Sequence, residues 1–321
     1  MASEEEDSKY VNHLEESSRR ICHDELHERN DADTLIAVQT LRKWVLEHER
    51  LRTPTDYRFL LRFLRFRKFS QLDARKALEH FWTVRCSHPE WFVGEDPTDE
   101  LMQKVIRMQM MCCPKQRDKH GRRVMIMKFD KVDVDFIKTT GLHKLYRASS
   151  LVLDWMMYDE HLQVEGHVMI ADFRGLTFEL FKAMFNREFE EKYTEYFHHA
   201  MPNRMKSMDV VNEPHFFDLI WAMIAPIMPQ KMKDRFHLHG HSLVKIYEEV
   251  GYECLPEEYL PDEYDGPKSG TCDEIVDAML EDMTHPDFLE YIRDLSSGKY
   301  GVHKVKGDHM ETEGSFRKIV E

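Results

Sequence analysis

The sequence predicts an α/β fold in which a mostly parallel sheet is flanked by helices, preceded by an all-helical N-terminal lobe. From residue 122 onward, short apolar runs alternate with longer helical patterns, as expected when helices connect parallel strands. These runs are continuously apolar, which is typical of strands covered on both faces. Residues 31–96 carry helical patterns only. A helical unit is therefore expected before the sheet.

The helical lobe is predicted from three consecutive patterns. Asp33 is a suitable cap for a first helix that runs to about Leu51. A break at 53–55 (Thr-Pro-Thr) precedes a second helix in the stretch DYRFLLRFLRFRKF, and Ser70 can cap a third. We place this helical domain at residues 31–96, after an acidic N-terminal tail and helix at residues 1–30.

Four strands are predicted at residues 122–130, 166–173, 207–212 and 235–240, with helical segments between them. A loop rich in proline and acidic residues follows at 254–266, and a last helix precedes a polar tail. We therefore place the sheet domain at residues 97–270 and a C-terminal helix and tail at residues 271–321.

Composition and charge limit the possible functions. The 321 residues include 45 Lys and Arg against 59 Asp and Glu, a net charge of −14. Binding to nucleic acid through bulk charge is therefore not expected, and an anionic partner needs a local basic patch. The six cysteines form no CxxC pair, and the polar N-terminus has no secretory signal. These features predict reduced thiols in the cytosol.

Motifs of catalysis are missing from the sequence. It contains no GxSxG, HExxH, GxxxxGK[ST] or GxGxxG, so we predict no enzyme, no catalytic residue and no cofactor apart from a bound hydrophobic ligand. His237, His239 and His241 alternate and could share one face of a strand. No fourth ligand is evident nearby, so ordinary hydrogen bonds are favoured over a metal site.

The stretch FFDLIWAMIAPIM at residues 216–228 is apolar on almost every side, but is shorter than the roughly 20 residues that span a bilayer. Such a helix is either buried or in contact with a membrane. It runs directly into Lys231, Lys233 and Arg235, and anionic membrane surfaces attract cations. The sequence therefore favours a membrane-contacting helix over a core helix. A second basic run at residues 58–68 is compatible with a solvated face of ion pairs.

Five blocks of sequence resemble the CRAL-TRIO lipid-transfer family, in order and at matching spacing across about residues 35–266. They read FLLRFLRFRKF, DKHGRRVMI, MIADFRGLTF, PNRMKSMDVVNEPHFFDLIWAMIAPIMPQKMKDRFHLHG and LPEEYLPDEYDG. The resemblance implies the CRAL-TRIO lipid-binding fold, with an apolar cavity that holds one hydrophobic molecule. It leaves a tocopherol, retinoid, carotenoid, sterol-like or phospholipid ligand open.

The resemblance also implies functional residues. A mobile gate helix would carry Phe216, Phe217, Leu219, Ile220, Trp221, Met223, Ile224, Ile227 and Met228. Phosphoinositide head groups would bind Arg67, Arg204, Lys206, Lys231, Lys233 and Arg235. The cavity would be lined by Tyr146, Ser149, Ser150, Leu153, Met169, Ala171, Met184, Tyr193, Tyr196, Phe197, Met201, Met208, Ile220 and Ile224.

Two functions are compatible with this pattern. The first is a monomeric cytoplasmic carrier of a hydrophobic small molecule that attaches transiently to phosphoinositide-containing endomembranes. The alternative is a phosphoinositide-sensing adaptor or scaffold without cargo, whose cavity is small or filled. The bulky aromatic residues at 193–197 favour this alternative.

Overall fold

The computed structural model describes Asp7 and residues 10–303, without the side chains of His198 and His199. Residues 304–321 of the predicted C-terminal tail, and most of the first nine residues, lie outside this part of the chain. Within the described residues, no helix is both long enough and apolar enough to cross a membrane.

Residues 16–106 are mostly helical, as predicted. Asn30, rather than Asp33, caps the second helix: its side chain accepts a hydrogen bond from the Asp33 backbone N–H at 2.8 Å. Asp56 and Ser70 cap the next two helices. The helices are α1 (Glu16–Leu26), α2 (Asp31–Glu47), α3 (Tyr57–Phe66), α4 (Gln71–Ser87), α5 (Pro89–Phe92) and α6 (Glu100–Ile106).

A five-stranded sheet follows, in the order β2-β3-β4-β5-β6. All pairs are parallel except β2–β3, so the mostly parallel sheet is confirmed. Every residue of β4 is buried, because helices and loops cover both faces. The strands are β2 (Met111–Cys112), β3 (Arg123–Lys128), β4 (His167–Asp172), β5 (Met205–Val211) and β6 (Phe236–Leu238); β1 (Leu51–Arg52) pairs separately with β7 (Gly301–Val302).

The connecting helices follow the sheet in sequence order. They are α7 (Val134–Thr140), α8 (Leu142–Tyr158), α9 (Glu160–Glu165), α10 (Phe178–Met184), α11 (Arg187–Glu195), α12 (Phe217–Ile224), α13 (Gln230–Lys233) and α14 (Val244–Val250). A π-helical turn (Tyr196–Ala200) extends α11, and 3₁₀ turns occupy Ala225–Ile227 and Glu257–Tyr259. The C-terminal helices are α15 (Cys272–Thr284) and α16 (Pro286–Leu295).

The predicted gate helix at about 214–228 is shorter than expected. It consists of α12 and the 3₁₀ turn that follows. Pro226 explains the shortening, since its ring removes a backbone donor and clashes with the preceding turn of an α-helix.

The helical lobe packs directly on the sheet domain. One continuous hydrophobic core includes Leu60 and Phe81 of the lobe together with Ile126 and Ile170 of the sheet. Arg65, in the basic run at 58–68, has no exposed side-chain surface and pairs with acidic residues inside the protein. That part of the run is therefore a buried ion pair rather than a solvated face.

Candidate functional site

A cavity of about 290 Å³ lies between one face of the sheet and the helices that connect its strands. Alternate strand residues line it: Met125 and Met127 on β3, Met169 and Ala171 on β4, and Met208 on β5. Successive side chains of a strand point to opposite faces, so the intervening residues of β3 and β4 pack on the other side of the sheet. The pleat of the sheet therefore determines which methionines face the cavity.

The structure brings most of the predicted cavity residues together. Those that line the cavity are Tyr146, Ser149, Leu153, Met169, Ala171, Met184, Tyr193, Phe197, Met208, Ile220 and Ile224.

Ser150, Tyr196 and Met201 do not line the cavity and are fully buried elsewhere. Ser150 follows Ser149 on α8, and a step of one residue turns a helical side chain by about 100°. The hydroxyl of Tyr196 lies 3.1 Å from Nη1 of Arg85, and its ring packs against Phe92. The π-helical turn that begins at Tyr196 and precedes Met201 changes the helical phase there.

Sequence reasoning missed many lining residues, most of them methionine or phenylalanine. They include Met110, Met111, Met125, Met127, Phe129, Leu142, Leu145, Phe173, Leu176, Phe181, Phe185, Glu190, Thr194 and Phe236. Alternation along β3 could have identified Met125 and Met127. No sequence signal marks Glu190, which stands among several exposed acidic residues of α11.

A small polar group interrupts this apolar lining. The Tyr146 hydroxyl donates a hydrogen bond to Oε1 of Glu190 at 2.7 Å. Burial raises the pKa of Glu190, and the hydrogen bond from Tyr146 opposes that shift. Burial also raises the pKa of Tyr193, and the neighbouring Ser149 opposes that shift. The cavity therefore has one polar region in an apolar surface.

Helix α12 forms one wall of the cavity. Of the residues assigned to the gate, Phe217, Ile220, Trp221, Ile224 and Met228 face the cavity. Phe216 instead packs against Phe178 and Phe181, with ring centroids 5.3 and 6.1 Å apart. Met223 and Ile227 are half-buried outside the lining.

Leu219, on the outer side of α12, is 44% exposed. The helix is therefore not buried all round. It has an inner face toward the cavity and a partly exposed outer face.

A cluster of cations lies beside this wall. Burial lowers the pKa of Lys231, and repulsion from Arg235, Lys68, Arg204 and Arg67 lowers it further. These charges therefore act on one another at short range.

Two predicted members of the patch differ in their surroundings. The pKa of Lys206 is lowered first by burial and then by Arg204 and Arg235, so it belongs to the cluster. Lys233 is two residues from Lys231 on α13, so the two side chains point in different directions. We define the basic patch by Arg67, Lys68, Arg204, Lys206, Lys231 and Arg235.

One carboxylate already occupies part of the basic patch. Oε2 of Glu25, on α1, lies 2.6 Å from Nη2 of Arg204 and 3.4 Å from Nζ of Lys206. Burial alone would raise the pKa of Glu25, but hydrogen bonds and charge from Arg204 and Lys206 lower it. An anion can therefore be held at this end of the patch.

The alternating histidines take part in ordinary hydrogen bonds. His237 Nδ1 and His239 Nε2 lie 3.2 and 2.9 Å from Oδ1 of Asp209, and His241 contacts Asn212. Among the described residues, no group of three or more His, Cys, Asp or Glu side chains is arranged to hold a metal ion.

An apolar cavity with one polar region, walled by a partly exposed helix, defines a protein that binds a hydrophobic molecule. The CRAL/TRIO domain model matches residues 107–266, and the Pinta-like UBA domain model matches residues 29–102. The chain is 32% identical over 253 residues to human Alpha-tocopherol transfer protein-like, covering 78% of this chain and 71% of that protein. The mouse protein of that name has the same identity and coverage.

Other relatives are more distant. Clavesin-1 of Xenopus laevis is 25% identical over 208 residues, which is 64% of this chain and 60% of that protein. The match to the crystal structure of Sfh5 covers 80% of this chain and 91% of the Sfh5 chain, with a TM-score of 0.47 and 10% identity.

The chain belongs to the CRAL-TRIO family. It is a lipid-binding protein of the transfer type and not an enzyme. The domain boundaries after residues 30, 96 and 270 stay predictions.

Proposed function

We propose that the protein carries one hydrophobic molecule in the cavity and exchanges it at phosphoinositide-containing membranes. The observation that carries this proposal is the position of α12, which separates the cavity from the outside next to the basic patch. In this proposal the protein is a cytoplasmic monomer that attaches transiently to the surface of endomembranes.

The size of the cavity limits the cargo. Its volume of about 290 Å³ lies just below the usual range of ligand pockets, which is about 300–1,000 Å³. This volume supports a molecule with a single apolar body, such as a tocopherol, a retinoid or a single-chain lipid, over a phospholipid with two chains. Methionine-rich walls favour such a ligand because methionine adapts to irregular apolar shapes.

The outer face of the wall provides a reason for release at a membrane. Phe178 and Leu219 are each 44% exposed, and Phe178 contacts Phe216 at the start of α12. A bilayer offers these apolar side chains a partner that water does not. If contact with the bilayer is stronger when α12 moves outward, the membrane shifts the helix toward the open position.

The basic patch provides a reason for recognising phosphate groups. Burial lowers the pKa of Lys231 most, and repulsion from Arg235 and Arg204 lowers it further, so bringing these cations together costs free energy. A polyanionic head group removes that repulsion and accepts charge-assisted hydrogen bonds. The patch therefore favours multiply charged phosphates over lipids with one negative charge.

The test reverses two charges of the patch. Each Lys or Arg near an anionic surface contributes about 1 kcal/mol, so Lys231→Glu with Arg235→Glu should slow ligand transfer to phosphoinositide vesicles by about tenfold or more. The measurement is transfer of a fluorescent lipid from the protein to vesicles. Affinity for that lipid in solution should change by less than about twofold, since neither side chain lines the cavity.

A matched control reverses two exposed lysines that pair within their own helices. The double variant Lys43→Glu with Lys245→Glu changes the net charge by the same amount as the patch variant, but both of its substitutions lie outside the basic patch. Equal transfer rates for the patch variant and this control would exclude the proposed role of the patch.

The adaptor without cargo is tested separately. Solvent extraction or native mass spectrometry of the purified protein should show one lipid per chain if the protein is a carrier. The open cavity and the packing of Tyr196 outside it support the carrier over the adaptor. A protein that neither co-purifies with a lipid nor takes one up would be the adaptor.

A further inference from the structure

The cavity contains one carboxylate. Among the described residues that line it, Glu190 is the only Asp or Glu, and the remainder are mostly methionine, aromatic or aliphatic side chains. Its Oε1 atom accepts the hydrogen bond from Tyr146, and no hydrogen bond to Oε2 is present among the described residues. One oxygen of the carboxyl group is therefore available for a further partner.

No cation neutralises this carboxylate within the described part of the chain. The cations of α11 pair with exposed acids instead: Lys192 with Glu188 at 2.7 Å, and Arg187 with Glu191 at 2.8 Å. Burying an unpaired carboxylate is costly, and buried charges in proteins are usually paired. Buried acids of this protein follow that rule, as Asp154 does with Arg85 at 2.8 Å. Glu190 is half-buried in an apolar lining and has no cation partner among the described residues, so ion pairing does not explain its position.

We infer that Glu190 and Tyr146 form the polar anchor of the cargo site, and that the cargo is an uncharged lipid bearing a hydroxyl group. This inference rests on the carrier function proposed above and specifies its ligand. The apolar body would lie against the methionines of β3, β4 and β5, and the hydroxyl would reach Glu190.

The chemistry of the anchor favours a hydroxyl over the other common lipid head groups. A hydroxyl can donate a hydrogen bond to the free oxygen of Glu190 and can also accept one. An ester or an ether has no proton to donate to a carboxylate. A carboxylate or phosphate head would be repelled by Glu190 in surroundings that screen charge poorly. Fatty acid anions and phospholipids are therefore disfavoured as cargo.

The test compares three probes with one hydrocarbon chain and different heads: oleyl alcohol, oleic acid and oleyl methyl ether. Each is measured at neutral pH by competition with a fluorescent lipid in the full-length protein. The wild-type protein should bind the alcohol at least about tenfold more tightly than the ionised acid, and also more tightly than the ether. In Glu190→Gln, which keeps the shape and the partner for Tyr146, the preference for alcohol over acid should fall below about threefold.

The matched control is Glu191→Gln, which removes the same charge from the next residue of α11. Glu191 is exposed and pairs with Arg187, so the preference for the alcohol should stay at its wild-type value. Tyr146→Phe provides a second measurement that leaves the carboxylate in place. It should reduce the difference in affinity between the alcohol and the ether, because it alters the hydrogen bonds at the anchor.

The outcomes separate this inference from the carrier function. If the wild-type protein binds all three probes equally, or if Glu190→Gln keeps the full preference, the anchor is wrong and the carrier stands. If the wild-type protein binds none of the probes and contains no co-purified lipid, the carrier function is wrong, and the anchor with it.

Discussion

At the scale of single residues, Asp172 shows how one carboxylate joins several elements. It ends β4 and accepts hydrogen bonds from Nε of Arg174 at 2.7 Å, from Asn212 at 2.9 Å and from the Tyr259 hydroxyl at 2.8 Å. Burial alone would raise the pKa of Asp172, but these donors outweigh it and lower the pKa. The ends of β4 and β5 and the turn at Tyr259 are therefore joined by one charged group.

Replacement of this carboxylate should be strongly destabilising. We expect Asp172→Asn to lower the free energy of unfolding by about 3 kcal/mol. The reason is that the donors from Arg174, Asn212 and Tyr259 would lose the buried negative charge that accepts their hydrogen bonds. Tyr259→Phe removes one hydrogen bond of the same group and should cost about 1 kcal/mol. Urea unfolding of both variants measures the difference, and equal costs would show that the charge of Asp172 is unimportant.

The same group predicts a dependence of stability on pH. Because the pKa of Asp172 is lower in the folded than in the unfolded protein, its stabilisation is complete above the unfolded value of about 3.9. The stabilisation is lost as the pH falls through the folded pKa. The free energy of unfolding of Asp172→Asn should therefore approach that of the wild-type protein in acid, as measured by urea unfolding at several pH values.

At the scale of elements, α12 has two different faces: one lines the cavity and the other is partly exposed. Leu219→Asp changes the exposed outer face and should reduce binding to vesicles by about tenfold, since burying a leucine contributes about 1.5–3 kcal/mol. Ligand affinity in solution should change by less than about twofold, because Leu219 does not line the cavity. Vesicle co-sedimentation and ligand titration measure the two effects.

The control for the outer face is Ile36→Asp, on α2 of the helical lobe. Ile36 is 61% exposed, so the substitution has similar chemistry at a position outside α12. If both substitutions reduced vesicle binding equally, the effect would arise from charge and not from the outer face of α12.

Helix α1 should weaken the basic patch, because Glu25 binds Arg204 and Lys206 where a phosphate would bind. Glu25→Gln should therefore raise the affinity for phosphoinositide vesicles by about two- to fivefold, the range expected for a partly exposed ion pair. Glu16→Gln removes the same charge from α1 at an exposed position paired with Arg20, and should leave that affinity unchanged. Equal affinities of the two variants would mean that Glu25 does not compete with phosphate.

At the scale of the whole molecule, buried ion pairs join the helical lobe to the sheet domain. Arg65 of α3 pairs with Glu160 of α9 at 3.0 Å and with Glu28 at 2.9 Å. Arg85 of α4 pairs with Asp154 of α8 at 2.8 Å. Because one hydrophobic core also runs through both regions, we expect them to unfold together.

Arg65→Met tests this coupling. It leaves Glu28 without its cation and Glu160 with only the partly exposed Arg58, and should cost about 3–5 kcal/mol, while thermal unfolding keeps one transition. Arg58→Met is the control, since Arg58 is about half exposed and lies 3.4 Å from Glu160; it should cost less than about 1 kcal/mol. Two separate transitions in the wild-type protein would show that the lobe folds independently.

The regular elements were predictable because their signals are local. The runs at β3 and β4 are mostly apolar in sequence, and Ser70 caps a helix through its own side chain. The two-residue strands β1, β2 and β7 were missed, because two residues cannot show a period. Pro226 is a local signal of the same kind, since it interrupts the apolar helix in the sequence and α12 ends at Ile224, just before it.

The lining of the cavity was predictable only in part. Ser149 and Ser150 are adjacent and chemically identical, and the rotation of α8 alone decides which of them faces the cavity. Tyr196 was predicted to line the cavity but does not, because its hydroxyl pairs with Arg85, which lies more than a hundred residues earlier in the chain. Such choices depend on residues that are distant in sequence.

The sequence by itself determined the α/β fold, the helical lobe and the apolar helix beside a run of cations, because period, capping and local charge depend on near neighbours. Only the tertiary structure decided that Glu25 occupies the basic patch and that Glu190 faces the cavity. Both are ordinary acidic residues of helices that also carry exposed acids. Their surroundings arise from packing between distant segments, and it is burial and partners, not residue type, that give a carboxylate its role.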